Sequence, residues 1–97
     1  METSNELNLL VTSKVEVADG IKEFRFADSC GGPLPEFDPG SHIAVLTPSG
    51  ANRQYSLINS GKQPIYYQIA VKLEHKSRGG SSSLHNELGE GDSIIIQ

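Results

Sequence analysis

The sequence is short of the residues that mark several specialised classes. It holds a single cysteine, Cys30, among 97 residues. That excludes an internal disulfide framework and a four-cysteine metal or iron–sulfur site. Basic residues are also few, with 8 Lys and Arg against 12 Asp and Glu and a net charge of −4. A general nucleic-acid-binding surface is thereby excluded, and only a local positive spot has room to exist. No apolar run approaches the roughly 20 residues that span a bilayer, so no membrane partner is expected. There is no repeat and no low-complexity tract. His42, His75 and His85 share no ligand spacing with one another or with a carboxylate, so no metal site is expected. The opening residues, Met1 to Glu6, are acidic and polar, unlike a secretory leader, and a cytoplasmic location is expected.

What is present fits one small domain. Ten glycines and five prolines cut the chain into short pieces, and the apolar residues between them favour alternation over helical spacing. Val11, Val15 and Val17 mark a first strand. A second carries Phe24 and Phe26 on one face, with Glu23 and Arg25 on the other. His42–Leu46 reads as a third, and Tyr55, Leu57 and Ile58 mark a fourth. Ile65–Leu73 is the clearest, with Tyr67, Ile69, Val71 and Leu73 facing one way; Ile94–Ile96 closes the set. Turn-forming groups such as Ala18-Asp19-Gly20, Asp38-Pro39-Gly40 and Asn59-Ser60-Gly61 separate them. The spacing predicts an all-β antiparallel sandwich or barrel. One short helix is expected over 81–88, with serines available as N-cap, Leu84 and Leu88 at i, i+4, and Gly89 as the stop.

Two clusters carry chemistry. In Arg53-Gln54-Tyr55-Ser56-Leu57 the strand period places Arg53 and Tyr55 on one face and Ser56 on the other. A guanidinium fork matches phosphate, a phenol ring offers a stacking face, and a serine offers a small donor and acceptor. These are the parts needed to hold a flat heteroaromatic ring with a phosphate tail. They are equally the ordinary furniture of a strand: a surface arginine, a half-buried tyrosine and a polar-face serine. The second cluster is Ser77-Arg78-Gly79-Gly80-Ser81-Ser82-Ser83 at the start of the expected helix. Glycines allow close backbone approach to an anion, whereas the plain alternative is a Gly/Ser turn that caps the helix. A Walker loop is excluded because its lysine is missing.

In their order along the chain these residues are similar to a known family. Arg53-x-Tyr55-Ser56-Leu57, then Ala70-Val71-Lys72, then Arg78-Gly79-Gly80-Ser81-x-Ser83-Leu84-His85 resembles the flavin domain of ferredoxin-reductase-like oxidoreductases. The nearest likeness is to the phthalate dioxygenase reductase and vanillate demethylase reductase group. Gly31-Gly32-Pro33-Leu34-Pro35 through His42, and Gly89-Glu90-Gly91-Asp92, fit it too. The resemblance implies a six-stranded antiparallel Greek-key barrel with one short helix, binding FMN, with FAD as the alternative. It implies that Arg53 binds the phosphate, that Tyr55 stacks on the ring, and that Ser56 lies at its reactive N5 side as the catalytic contact. It further implies that Leu57 gives backbone contacts and that Ala70, Val71 and Lys72 line the ring edge and ribityl chain. Gly80, Ser81 and Ser83 would complete the phosphate site.

By the same resemblance, electrons pass from NAD(P)H through FMN to a 2Fe-2S centre and a terminal oxygenase. The nicotinamide-binding and ferredoxin-type domains are expected to lie outside this chain. Residues 1–7 are expected to be a flexible N-terminus and 8–97 the FMN-binding barrel. Such a domain alone is expected to turn over NADH poorly. The alternatives are an FAD-binding barrel and a barrel that has lost flavin and serves as an interaction or regulatory module. Cys30 reads as a spare thiol and His85 as an exposed helix residue.

Overall fold

The computed structural model describes residues 6–73 and 80–97, with side-chain surroundings in the helix described from Ser83 onward. The elements are β1 (Leu7–Ala18), β2 (Ile21–Ala27), β3 (His42–Leu46), β4 (Asn52–Ser56), β5 (Tyr67–Lys72), α1 (Gly80–Asn86) and β6 (Ser93–Ile96). They form one six-stranded sheet in the order β4-β3-β6-β1-β2-β5, with antiparallel neighbours throughout. β1 begins at Leu7, one residue ahead of the expected start of the barrel, and Leu7 packs against the core.

The alternation read in β2 and β5 is the alternation that builds the core. Phe24, Phe26, Ile69 and Val71 are fully buried, and Tyr67 joins them. The Tyr67 hydroxyl donates to the carbonyl of Pro35 at 2.7 Å, and its ring meets Phe37 edge-on at 5.5 Å. From β3 and β6 come Ile43, Val45, Ile94 and Ile96.

β1 departs from expectation. Val11 is buried, but Val15 and Val17 are about half exposed, at 51% and 50%. The cause is a register shift between Val11 and Ser13: Val11 opposes Phe26, whereas Lys14 opposes Phe24. One extra residue inverts the side-chain parity of everything beyond it. Lys14 therefore turns inward, its Nζ 5.9 Å from the Phe24 ring centroid, and the two valines turn out.

The helix closes the barrel end to which Lys14 and Lys22 point. It spans Gly80–Asn86 rather than 81–88, and Leu84 and Leu88 are both buried. Carbonyls in its last turn and just beyond it would otherwise lack partners. Lys22 Nζ donates to the carbonyl of His85 at 3.1 Å and Lys14 Nζ to that of Leu88 at 2.6 Å. Cations at this end also suit the helix dipole. Burial, with the charge of Lys22 beside it, lowers the Lys14 pKa from its ordinary value, and Asp92 opposes the shift.

The ends of the sheet, β4 and β5, adjoin without a ladder between them. One backbone bond joins them, from Ile58 N–H to the carbonyl of Gln68 at 3.0 Å. The barrel therefore has a seam.

Candidate functional site: the seam between β4 and β5

Hydrogen-bond alternation fixes what each strand presents to the seam. Leu57 N–H donates to the carbonyl of Ser41 and Thr47 N–H to that of Ala51, both at 2.9 Å. These bonds continue the β3–β4 register in which Ile43 opposes Tyr55 and Val45 opposes Arg53. Bonded and non-bonded pairs alternate in an antiparallel ladder. The backbone groups of Arg53, Tyr55 and Leu57 hence point to β3, and those of Gln54 and Ser56 point to the free edge. On β5, Leu73 N–H donates to Gly20 at 2.7 Å, on the β2 side, while Gln68 turns to β4. By the same alternation Ala70 and Lys72 present their backbone groups to the seam. Two rows of donors and acceptors face a common gap, and free strand edges recruit a partner with complementary groups.

Side chains complete the gap. Arg53 and Tyr55 share the inward face of β4, both half-buried where full burial would be ordinary, because the seam opens beside them. The Tyr55 ring packs against the core. Burial pushes its hydroxyl pKa above the usual 10.0, and the charge of Arg53 opposes the shift. The guanidinium is thus within electrostatic reach of the phenol. Among its donors, Nη1 bonds the neighbouring carbonyl of Asn52 at 3.0 Å. Ser56 points to the outer face, opposite His42, and both are exposed.

Leu57 is buried at 8% exposure and its N–H is taken by the Ser41 carbonyl, so the backbone contact expected of it does not face the seam. Ala70 and Lys72 are exposed, whereas the Val71 side chain is fully buried. The carbonyl of Val71 accepts from His85 Nε2 at 2.7 Å. Gly80 and Ser81 form the first turn of α1, and their surroundings lie outside the described residues, as do His75, Arg78 and Gly79 altogether. Ser83 is buried at 2% exposure, beside the buried Leu84 and His85.

Two positions were misread or missed in the sequence. His85 is not exposed on the helix; it is 4% exposed and fastens α1 to β5. Asn59 reads as one more turn residue, yet its side chain spans the seam. Its Oδ1 accepts from Gln68 N–H at 3.0 Å and its Nδ2 donates to the carbonyl of Tyr66 at 2.7 Å. Spacing carries no signal for either. A separate cleft of about 650 Å³, lined by Phe37, His42, Ile43, Leu57 and Tyr67 among others, takes only Leu57 from the expected set.

No family model matches the chain. Individual proteins do. The solved structure of phthalate dioxygenase reductase, described as modular and built for electron transfer from pyridine nucleotides to 2Fe-2S, superposes with a TM-score of 0.92 at 38% identity. It covers 96% of this chain, which in turn covers 29% of it. The chain is homologous to one domain of the phthalate dioxygenase reductase group, and its fold matches the flavin-binding barrel of that reductase. In sequence, phthalate dioxygenase reductase of Burkholderia cepacia is 40% identical over 90 residues, 93% of this chain and 28% of that one. Vanillate O-demethylase oxidoreductase of Acinetobacter baylyi is 36% identical over 90 residues, again 93% of this chain and 28% of the relative. The chain thus spans less than a third of the length of these reductases. The expected six-stranded barrel with one short helix is the barrel of this group.

Proposed function

We propose that this barrel is the FMN-binding domain of an NAD(P)H-dependent oxygenase reductase, with residues 8–97 as the domain and the β4–β5 seam as its flavin site. The observation that carries the reading is the pair of unladdered strand edges flanked by Arg53 and Tyr55. An isoalloxazine edge alternates donors and acceptors, as a strand edge does, so the exposed backbone groups of Gln54, Ser56, Ala70 and Lys72 suit it. The donor set therefore fits the cofactor.

Each residue then has a task. Tyr55 supplies a partly desolvated face for stacking. Arg53 supplies the charge for the phosphate, with a second contact from Gly80, Ser81 and Ser83 at the start of α1. Ser56, short and exposed, would donate a hydrogen bond from its hydroxyl to the N5 side of a bound flavin. Lys72 shapes the wall from the free edge of β5, with the buried side chains of Leu57 and Val71 packed behind it. A bound flavin supplies the conversion between hydride and single-electron transfer, which no side chain here can perform.

FMN is favoured over FAD by the connection from Asn59 to Pro64. It is short and pinned: Leu34 N–H donates to Pro64 at 2.9 Å, Phe37 N–H to Gly61 at 3.2 Å, and Gln63 N–H to Glu36 Oε2 at 3.1 Å. A loop so held has little freedom to cover an adenine. The partners of this reading are a nicotinamide-binding domain, a ferredoxin-type 2Fe-2S domain and a terminal oxygenase. An exposed free thiol at Cys30 accords with a reducing, cytoplasmic compartment. Among the described residues no helix is long and apolar enough to cross a membrane.

Fluorescence titration of the chain with FMN, FAD and riboflavin tests the reading. Tight FMN and weak riboflavin binding are expected. A folded chain that binds none of the three refutes it.

A further inference from the structure

The seam raises a physical question. Two free antiparallel edges that already share the Ile58–Gln68 bond should zip together. Continuing that register would set Ser56 against Ala70 and Gln54 against Lys72, and Gln68 N–H would return a bond to the carbonyl of Ile58. None of this pairing forms.

Asn59 stands where the zipping stops. Its carboxamide offers a peptide group's carbonyl and N–H donors on a side chain. Oδ1 takes the Gln68 N–H at 3.0 Å, and Nδ2 gives its hydrogen to Tyr66 at 2.7 Å. The orientation of the amide follows from these partners, since one is a donor and the other an acceptor. A longer contact from Nδ2 to the carbonyl of Ser60, at 3.4 Å, holds the turn. Gln68 does not compete through its side chain, which is engaged on the outer face with Arg25 Nε at 3.2 Å and Glu23 Oε1 at 2.8 Å. So the N–H that would begin a second rung is occupied by a side chain, not by the backbone of β4.

We propose that Asn59 is a positioning residue of the flavin slot: its side-chain amide terminates the β4–β5 pairing at Gln68 and thereby keeps the edges of Ser56 and Ala70 open to the ring. This rests on the seam being the flavin site. Asn59 touches no ring atom; it acts through the backbone of β5.

Amide hydrogen exchange and flavin titration on the full chain test it, with Asn59→Ala and Asn59→Asp. Asn59→Asp keeps the acceptor for Gln68 and replaces the donor facing Tyr66 with a second acceptor. In the flavin-free wild type, the Gln68 amide is expected to be protected while Ser56 and Ala70 exchange freely, and added FMN should protect those two. In Asn59→Ala the ladder should advance: the Gln68 amide should pass to the Ile58 carbonyl and stay protected, the Ser56 and Ala70 amides should gain at least about tenfold protection, and affinity for FMN and riboflavin should fall by the same factor, about tenfold or more. The unchanged ratio of the two affinities marks a ring effect rather than a phosphate effect. Blurring of the vibronic structure of the bound flavin's visible band should accompany it. Asn59→Asp should show the same pattern more weakly.

A folded Asn59→Ala protein with wild-type riboflavin affinity overturns the proposal. If Asn59→Ala does not fold, the same result in Asn59→Leu, similar in size and without the acceptor for Gln68, overturns it. Protected Ser56 and Ala70 amides in the flavin-free wild type overturn it as well. A wild type that takes up no flavin overturns the functional reading first. Ser56 and Ala70 exchange in the variants then still reports whether Asn59 stops the ladder, which separates the two failures.

Discussion

His85 Nε2 lies 2.7 Å from the carbonyl oxygen of Val71, and this bond fastens the only helix among the described residues to β5. A carbonyl can only accept, so Nε2 carries the hydrogen. The same histidine's own carbonyl receives Lys22 Nζ at 3.1 Å. One residue thus binds the helix to the sheet through both side chain and backbone. Replacing it by alanine removes a buried bond, and a loss of about 1–3 kcal/mol is expected. Urea melts of the His85→Ala protein would measure it, and an unchanged midpoint would remove the fastening role.

Arg53 is the phosphate test. Arg53→Ala should weaken FMN by about 1.5–3 kcal/mol, the range for a hydrogen bond to a charged group. Riboflavin, which has no phosphate, should lose far less. Equal losses for the two would take the phosphate away from Arg53. Tyr55→Ala, by contrast, should weaken both alike, because stacking does not depend on the tail.

The tyrosines give a pH signature. Burial raises the pKa of both Tyr55 and Tyr67 above the ordinary 10.0. The folded state therefore holds these protons more tightly than the unfolded chain does. Their contribution to stability is complete below about pH 10 and is lost as pH climbs through the folded values. Phenolate absorbance should titrate late in the folded protein. In Arg53→Ala the Tyr55 transition should move higher still, since the charge opposing the shift is gone. A Tyr55 that titrates normally contradicts its desolvated position.

Gly61 has no room for a side chain. A Cβ built there would overlap the carbonyl oxygen of Phe37, which is backbone and cannot swing aside. Phe37 N–H also donates to Gly61 at 3.2 Å, so the two segments are locked face to face. Gly61→Ala should cost about 3 kcal/mol or more, at the severe end for a single substitution. A thermal shift of only a degree or two would show that the loops can part.

Much of this was legible from residue order. Phe24 and Phe26, or Tyr67, Ile69 and Val71, repeat every second position and are buried for that reason. Arg53 and Tyr55 share a face because strand geometry leaves no other choice. Val15 and Val17 were legible and misleading, since a bulge leaves the alternation intact in the sequence while inverting it in space. Asn59 and His85 were not legible at all. Their roles come from bonds to backbone that is distant in the chain or across a turn, and a backbone group has no letter in a sequence.

The seam also bears on how the barrel fails. A cylinder joined along one line by a single backbone bond and one asparagine is weakest there, and local opening should begin with β4. On the proposed reading, a ligand lodged in the gap would serve as the missing stave. Its concentration then adds stability as RT ln(1 + [L]/Kd), so at about a hundredfold excess over Kd the barrel gains about 2.7 kcal/mol. Cofactor supply would thus set how much intact domain a cell retains, apart from any electrons it carries.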